Sequence, residues 1–425
     1  MIPSSQIGLG IAIVAILIGA GSFGYTATTI SGLEDKINTI AGSTTSSAND
    51  ISKLKSDIAK LEEGQAKSKA DQEAAAVEQQ ILLDANRLGV RTDDVRNFGA
   101  DLIEAAQKEG KVTSYSIYGW KRANAEINSE FNARFGIEVE NMAMGSEDIY
   151  QRYLGEQAAG KNIVDVLVSA QDSLELLQNN LRPLEKLIPD QTAQYKTDSP
   201  AKYGPDGRWI STLGRISSAI GYNTELVDAS EVPTTIEGLL DEKWKGKVLV
   251  PDSSVDIVGH ILEYYPNGES WLKDLAGNGA IALNSYSGVG SLLAAGEGQL
   301  GFLVGADVYS RQMVKGAPVS FVPIDFAGNG IYISFNSIST VNDAPNPNAA
   351  LLYIAFVLTD EGQDLIDKVG IYYGNNNGPV GFMKRYGITP PDLEIWSGDP
   401  EAGASPEDVD RIRALYRDVF GIKPE

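Results

Sequence analysis

The 425-residue chain has no cysteine and only one histidine, His260. Without cysteine there are no disulfides, catalytic thiols, zinc-thiolate sites or lipid-modified cysteines. A single histidine excludes multi-histidine metal sites, and no nucleophile-base pair can be assembled around it. We therefore expect no catalytic residue, no cofactor and no metal site, and we interpret His260 as a partly buried packing residue.

Charged side chains are absent from the first 33 positions. Within them, residues 7–25 (IGLGIAIVAILIGAGSFGY) form an apolar run close to the roughly 20 residues that cross a bilayer. A cleavable secretory signal is the alternative, but it needs basic residues ahead of the run, and positions 1–6 have none. The sequence predicts a transmembrane anchor over residues 1–28.

Aromatic residues are absent from positions 29–80, a segment rich in Ser, Ala, Lys, Asp, Glu and Gln. Its apolar residues fit one a/d heptad register. They are Ile30, Leu33, Ile37, Ile40, Ile51, Leu54, Ile58 and Leu61. The pattern predicts a coiled-coil-like helical stalk over residues 29–91 that can self-associate. The alternative is a single amphipathic helix with a flexible middle.

Basic residues are outnumbered, with 35 Lys and Arg against 57 Asp and Glu, a net charge of −22 and a pI near 4.5. Such a surface repels phosphate backbones, so we expect no nucleic-acid partner. The 43% hydrophobic and 22% charged fractions are typical of a folded globular protein. The chain is too long for one hydrophobic core, which favours two lobes after the anchor.

Helix and strand patterns alternate from residue 101 onward. Helices are predicted at 102–109, 123–135, 146–159, 173–179, 235–240, 255–264, 288–295, 351–368 and 408–419. Strands are predicted at 111–117, 137–142, 164–169, 217–223, 246–250, 280–283 and 300–305. This order indicates an α/β fold with mostly parallel sheets, whose ligands bind at the carboxyl ends of the strands.

Two stretches carry a resemblance to a known family. Residues 233–248 read PTTIEGLLDEKWKGKV, residues 344–366 read APNPNAALLYIAFVLTDEGQDLI, and a strand holds the pair Asp165 and Val166. They resemble the extracellular solute-binding proteins of ABC importers, in the branch with periplasmic ferric-binding proteins and relatives for polyamine, thiamine and phosphonate uptake. The resemblance covers about residues 111–377.

The resemblance implies a two-lobed periplasmic-binding-protein-like fold of type II, in which lobes joined by crossing strands close on a solute. Lobe 1 is expected at residues 92–216 with a return at about 320–345. Lobe 2 is expected at 217–319 with about 346–390, before a C-terminal extension at 391–425. The resemblance also implies lobes outside the cell, an ABC permease as partner and no enzymatic activity.

Ferric iron is one candidate ligand. By the same resemblance, iron-binding relatives use two adjacent tyrosines in the stretch matching residues 304–316, but this chain has Ala306 and Asp307 there. The first loop offers Trp120 and Lys121 instead of a histidine. Iron prefers several anionic oxygen ligands, so it stays an alternative with an atypical donor set of Asp307, Tyr309, Tyr115 and Tyr118.

Hydroxyl groups recur where predicted strands end and helices begin, an arrangement that suits phosphate or carboxylate. Arg215, at the expected lobe crossing, can hold the same anion through two hydrogen bonds. The alternative for the serines is ordinary N-capping. The candidate anion-binding residues are Ser146, Ser169, Arg215, Ser253, Ser254 and Ser287.

A second group of residues can bind an ammonium or amine group by ion pairing and by attraction to aromatic ring faces. The alternative for each aromatic residue is a place in the core. The candidates are Tyr118, Trp120, Tyr286, Asp307 and Tyr309, with Tyr115 beside them at the end of the first strand.

These observations favour a membrane-anchored extracellular receptor that captures a small charged or zwitterionic solute and delivers it to an ABC permease. The competing interpretation is a structural, appendage or surface-layer protein in which the apolar helix and the stalk assemble. The two hypotheses share a fold and differ in whether the heptad residues make lasting contacts between chains.

Overall fold

A computed structural model describes residues 48–117, 120–197, 202–251, 254–375, 378–397 and 406–422. The predicted anchor and the first half of the heptad pattern lie outside these residues. Within them, no helix is long and apolar enough to cross a membrane.

The helices are α1 (Ala48–Leu88), α2 (Thr92–Phe98), α3 (Ala100–Glu109), α4 (Trp120–Phe135), α5 (Ser146–Ala158), α6 (Gln171–Leu176), α7 (Leu184–Leu187), α8 (Pro189–Thr192), α9 (Val255–Tyr264), α10 (Gly268–Gly277), α11 (Gly288–Ala294), α12 (Ala306–Met313), α13 (Pro347–Val357), α14 (Asp360–Val369), α15 (Gly378–Arg385) and α16 (Pro406–Phe420). The strands are β1 (Lys111–Ile117), β2 (Glu138–Met144), β3 (Val166–Ala170), β4 (Ile210–Ile216), β5 (Ala219–Asn223), β6 (Val248–Val250), β7 (Ile281–Ala282), β8 (Leu300–Gly301), β9 (Val319–Pro323), β10 (Ile331–Thr340) and β11 (Ile395–Trp396).

The chain divides into two compact units, Met1–Asp84 and Ala85–Glu425. Helix α1 is continuous over 41 residues, so the aromatic-free segment is helical from Ala48 onward. Whether its heptad residues pair with another chain stays a prediction.

The first sheet of the larger unit forms lobe 1. Strand β1 pairs in parallel with β2 and with β3. Strand β10 then pairs antiparallel with β3 on one side and with β4 on the other. Helix α3 reaches this sheet through Gly110, whose left-handed backbone ends the helix and whose N–H bonds to the carbonyl of Ala106.

The second sheet repeats the order in lobe 2. Strand β6 pairs in parallel with β7 and with β8, and β5 pairs antiparallel with β8 and with β9. Because β4 leads directly into β5 and β9 leads into β10, the chain crosses twice between the sheets. This confirms the two α/β lobes and their crossing strands.

Residues 346–369 correct the predicted lobe boundary, because α13 and α14 pack on lobe 1 and not on lobe 2. The Tyr353 hydroxyl lies 2.8 Å from Asn124 Oδ1, and the Phe356 and Phe131 rings are 5.8 Å apart. The backbone N–H of Asn348 donates to Glu109 at 2.9 Å. The apolar residues of α13 from Ala349 to Val357 are buried, and α3 and α4 provide much of the surface that covers them.

Several predicted bounds differ from the structure by a few residues, and three predicted elements differ in type or in extent. The helix expected at 351–368 is interrupted, because Thr359 caps a new helix by accepting a hydrogen bond from the N–H of Gly362 at 3.1 Å. The strand expected at 300–305 ends at Gly301, and Leu303 takes a positive φ of 60°. The helix expected at 235–240 is a short 3₁₀ turn, Glu237–Leu240.

The C-terminal extension packs on lobe 2. The Tyr416 hydroxyl of α16 donates to the carbonyl of Pro251 at 2.9 Å, and Trp396 of β11 lies edge-on to the His260 ring at 5.5 Å. His260 is 5% exposed and its ring is 4.4 Å from that of Tyr332. The histidine therefore has the packing environment expected from the sequence.

We predict that removing residues 1–80 leaves a soluble protein with a cooperative thermal transition, because Ala85 is buried and Gln107 donates to the carbonyl of Leu88 at 3.0 Å. Starting the chain at Thr92 removes both contacts and is expected to lower the melting temperature. Thermal unfolding followed by circular dichroism checks both. Aggregation of the longer truncated protein would show that the unit boundary is misplaced.

Candidate functional site

Arg215 lies on β4 at the crossing between the lobes, opposite Ser334 of β10. Its Nε donates to Ser334 Oγ at 2.7 Å, and its Nη1 donates to the Tyr286 hydroxyl at 3.1 Å. Its Nη2 forms an ion pair with the carboxylate of Asp256. Two of these partners come from lobe 2, so the guanidinium joins the crossing strands to that lobe.

The groups around Arg215 remain accessible to solute. The Arg215 side chain is 21% exposed and the Asp256 side chain 35% exposed. Tyr286 and Ser334 are also only partly buried. The cluster therefore presents a charged and hydroxyl-bearing surface.

A tight backbone turn completes this surface. After β8, the positive φ of Leu303 reverses the chain, and the N–H of Gly305 then donates to the Tyr286 hydroxyl at 2.8 Å. A side chain at position 305 would place its Cβ 2.7 Å from Asp307 Oδ1 and 3.0 Å from Arg215 Cδ. A side chain larger than that of glycine would therefore have to displace the Asp307 carboxylate or the Arg215 side chain.

A second ion pair lies behind the first. Asp307 is 2% exposed, and its Oδ2 accepts hydrogen bonds from Arg311 at 2.8 Å and from the Tyr372 hydroxyl at 3.2 Å. Its Oδ1 is buried and has no hydrogen-bond partner among the described residues. The carboxylate that the sequence assigns to a bound amine is thus shielded and largely engaged by the protein.

Electrostatic coupling fixes the protonation of these groups. Burial acts to lower the pKa of Arg215, but the negative charges of Asp256 and Asp307 raise it well above its usual value. Burial raises the pKa of the Tyr286 and Tyr372 hydroxyls well above the ordinary value for tyrosine. At neutral pH the arginine is charged and both phenols are neutral.

In lobe 1 the structure separates the predicted site residues. Tyr115 and Trp120 are fully buried, and the Tyr115 hydroxyl donates to Glu156 at 2.7 Å within the lobe 1 core. Ser146 Oγ accepts from the backbone N–H of Ala170 at 3.4 Å, at the end of β3. Ser169 is buried and paired in register with Ser337 of β10. Tyr115 and Trp120 are therefore core residues and not part of the surface around Arg215.

In lobe 2 only Tyr286 and Asp307 join the Arg215 cluster. Tyr309 lies in the core, where its ring stacks on Phe321 at 6.4 Å. Ser254 is 4% exposed at the start of α9, and Ser287 is exposed before α11. Tyr118 and Ser253 lie outside the described residues.

Four residues of the cluster were not predicted from sequence: Asp256, Arg311, Ser334 and Tyr372. Asp256 follows a strand by a few positions, so a search for charged residues in the first turn of each helix would find it. Ser334 and Tyr372 carry no local signal, because they reach the site through the return crossing and through a loop after α14. No three His, Cys, Asp or Glu side chains of the described part of the chain group together to hold a metal ion.

Comparison with known proteins gives the family. The profile of the bacterial extracellular solute-binding protein family matches residues 126–377, more than half of the chain, so the chain belongs to this family. Iron uptake protein A1 of Synechocystis sp. (strain ATCC 27184 / PCC 6803 / Kazusa) is 25% identical over 282 residues, 62% of this chain and 75% of that protein.

Solved structures with the same fold contain different bound ligands. Iron-bound HitA from Pseudomonas aeruginosa is 20% identical with a TM-score of 0.56, over 73% of this chain and 99% of that chain. AfuA from Actinobacillus pleuropneumoniae with fructose-6-phosphate bound is 16% identical with a TM-score of 0.57, over 74% and 99%. The chain is a solute-binding protein of the ABC importer type and not an enzyme, and its solute-binding part is extracellular or periplasmic.

We predict that Arg311→Ala destabilises the protein by about 3–5 kcal/mol, because it leaves the carboxylate of Asp307 buried without its charged partner. Chemical denaturation measures the change. The control is Lys273→Ala, which breaks an ion pair whose side chains are both 56% exposed and is expected to change stability little. Equal effects of the two variants would contradict a structural role for the Asp307 pair.

Proposed function

We propose that the chain is the receptor of an ABC importer and binds a small charged or zwitterionic solute between its lobes at Arg215. The observation that carries this proposal is the partly exposed guanidinium at the lobe crossing, held by one residue of β10 and two of lobe 2. An anion bound there would contact both lobes, so its binding would be coupled to their closure.

The hydrogen-bond directions around Tyr286 support an anionic group on the solute. The Tyr286 hydroxyl accepts hydrogen bonds from Arg215 and from the N–H of Gly305. Its own proton has no acceptor among the described residues, so it is available to donate. A guanidinium and a phenolic donor side by side suit a carboxylate or phosphate oxygen.

Ferric iron is a second candidate, because the matched Synechocystis protein is named an iron uptake protein. Tyr286 and Asp256 contact Arg215 directly, and Tyr372 contacts Asp307 beside them. Phenol and carboxylate oxygens of this kind are donors that iron prefers. Both phenols would have to lose their protons and Arg215 would have to leave. A visible tyrosinate-to-iron absorption band on adding ferric citrate would establish this alternative.

The binding test uses Arg215→Ala. A screen of amino acids, polyamines, phosphonates, phosphate, thiamine and ferric salts by thermal shift identifies the solute, since a ligand at 100 times its Kd stabilises by about 2.7 kcal/mol. Loss of a charged hydrogen bond, roughly 1.5–3 kcal/mol, should weaken binding of that solute about ten- to a hundredfold.

The matched control for this test is Arg411→Ala on α16, whose side chain is 62% exposed. It should bind the solute with wild-type affinity. Wild-type affinity in the Arg215 variant as well would place the solute elsewhere.

We further propose that residues 1–28 anchor the protein in the membrane and that the stalk can self-associate. The apolar run at residues 7–25 supports the anchor. The continuous helix α1 and its uncharged a/d positions, which include Ile51, Leu54, Ile58 and Leu61, support self-association. Delivery of the solute to an ABC permease is proposed from the family to which the chain belongs.

We predict that Ile51→Asn with Ile58→Asn lowers the mass of any detergent-solubilised oligomer, because both changes put amides at heptad core positions. Light scattering coupled to size exclusion measures the mass. The control is Ala59→Asn with Ala66→Asn, at two exposed positions outside the a/d heptad positions. It should leave the oligomer mass unchanged. An unchanged mass in both variants would count against the stalk as an interface.

A further inference from the structure

The charges of the Arg215 cluster balance. Its described members include two arginines, Arg215 and Arg311, and two aspartates, Asp256 and Asp307, joined as two ion pairs. Tyr286 and Tyr372 add no charge at neutral pH, because burial raises the pKa of both hydroxyls. The described members of the cluster therefore carry no net charge before any solute enters.

The two pairs differ in accessibility. Asp307 is 2% exposed and is held by Arg311 and Tyr372. Asp256 is 35% exposed, and in the described part of the chain its carboxylate pairs only with Arg215, itself 21% exposed. We call Arg215 and Asp256 the outer pair and Arg311 and Asp307 the inner pair. The outer pair is the one that a solute can separate, while the inner pair stays in place.

Separating the outer pair exposes one positive and one negative group at once. A simple anion that takes Arg215 leaves the Asp256 carboxylate beside it, with its partner lost and a like charge close by. A simple cation that takes Asp256 leaves Arg215 in the same position. Either arrangement places an uncompensated charge in a closing cleft, which is costly.

We infer that this cleft selects solutes that carry both an anionic and a cationic group and no net charge, with the anion at Arg215 and the cation at Asp256. This inference rests on the proposed function and narrows its solute class. Such a solute replaces each half of the outer pair with an opposite charge, so every charged group keeps a partner as the lobes close.

Asp256, and not Asp307, is thus the residue that determines specificity for the cationic group. Its position supports the role, because it stands in the first turn of α9, one turn before His260, whose ring packs against the Tyr332 and Trp396 rings and helps to fix the helix. The Tyr286 ring lies next to the same pair, with the Arg215 guanidinium 5.9 Å from its centroid. The ring can also face an ammonium group of the solute.

The experiment compares matched compounds on the full-length protein. Neutral α- and ω-amino acids are each tested beside the carboxylic acid that lacks the amino group and the amine that lacks the carboxyl group. Phosphate, fructose-6-phosphate and ferric citrate complete the panel. Thermal shift ranks the compounds, and calorimetric titration gives the Kd of the best.

We expect an amino acid to bind at least tenfold more tightly than either of its matched acid and amine. A simple anion or ferric citrate as the tightest compound would overturn zwitterion selection and leave the proposed receptor function standing. A panel in which no compound raises the melting temperature would overturn both.

The variant Asp256→Asn separates the role of the carboxylate from a general loss of the site. It should weaken binding of the best zwitterion about ten- to a hundredfold. It should strengthen binding of the matched carboxylic acid, because residue 256 no longer competes for Arg215 with a negative charge. Asp274→Asn, at an exposed position of α10, is the control and should change neither. Equal weakening of zwitterion and acid in Asp256→Asn would overturn the inference.

Discussion

The guanidinium of Arg215 is a cation placed where two lobes meet, and the surrounding structure is arranged to satisfy it. Removing a charge from water is costly unless each of its donors finds an acceptor. Ser334, Tyr286 and Asp256 provide those acceptors from three different elements. Ser217 Oγ in turn lies 2.8 Å from Ser334 Oγ. Leu303 adopts a positive φ just before Gly305, whose N–H donates to the Tyr286 hydroxyl.

A buried carboxylate organises lobe 1 in a comparable way. Asp165 accepts hydrogen bonds from the N–H of Thr113 at 2.8 Å and from the N–H and side-chain amide of Asn346 at 2.6 and 3.0 Å. Burial raises its pKa, and these donors act against that rise. The carboxylate therefore joins β1, β3 and the start of α13, which helps to explain why the chain stays on lobe 1 after residue 345.

The local sequence pattern predicted most of the helices and strands. The features that it did not predict depend on contacts between residues far apart in the sequence. Strand 111–117 and helix 255–264 match the structure in both bounds, because apolar spacing and flanking turn residues are local signals. The lobe assignment of residues 346–369 failed because Asp165 and Glu109 lie far away in sequence. The sequence also shows no difference between Tyr286 at the site surface and Tyr309 in the core.

The same limit applies to the candidate site. Arg215 could be chosen from sequence, because the resemblance places it at the expected lobe crossing, where an arginine can hold an anion. Its partner Asp256 has only the general signal of an acidic residue in the first turn of a helix, which is most often explained by the helix dipole. The ion pair between Arg215 and Asp256 depends on how β4, in the lobe 1 sheet, and α9, in lobe 2, are placed relative to each other.

The net charge of −22 contrasts with the balanced charges of the site. At physiological ionic strength the field of the acidic surface is screened over about 8 Å, so it acts mainly on solutes close to the protein. A multiply charged anion is repelled as it approaches, whereas a solute without net charge is not. The acidic surface therefore slows the approach of anions, which agrees with the inferred pairing of charges at Arg215 and Asp256, whereas discrimination against cations has to come from that pairing alone.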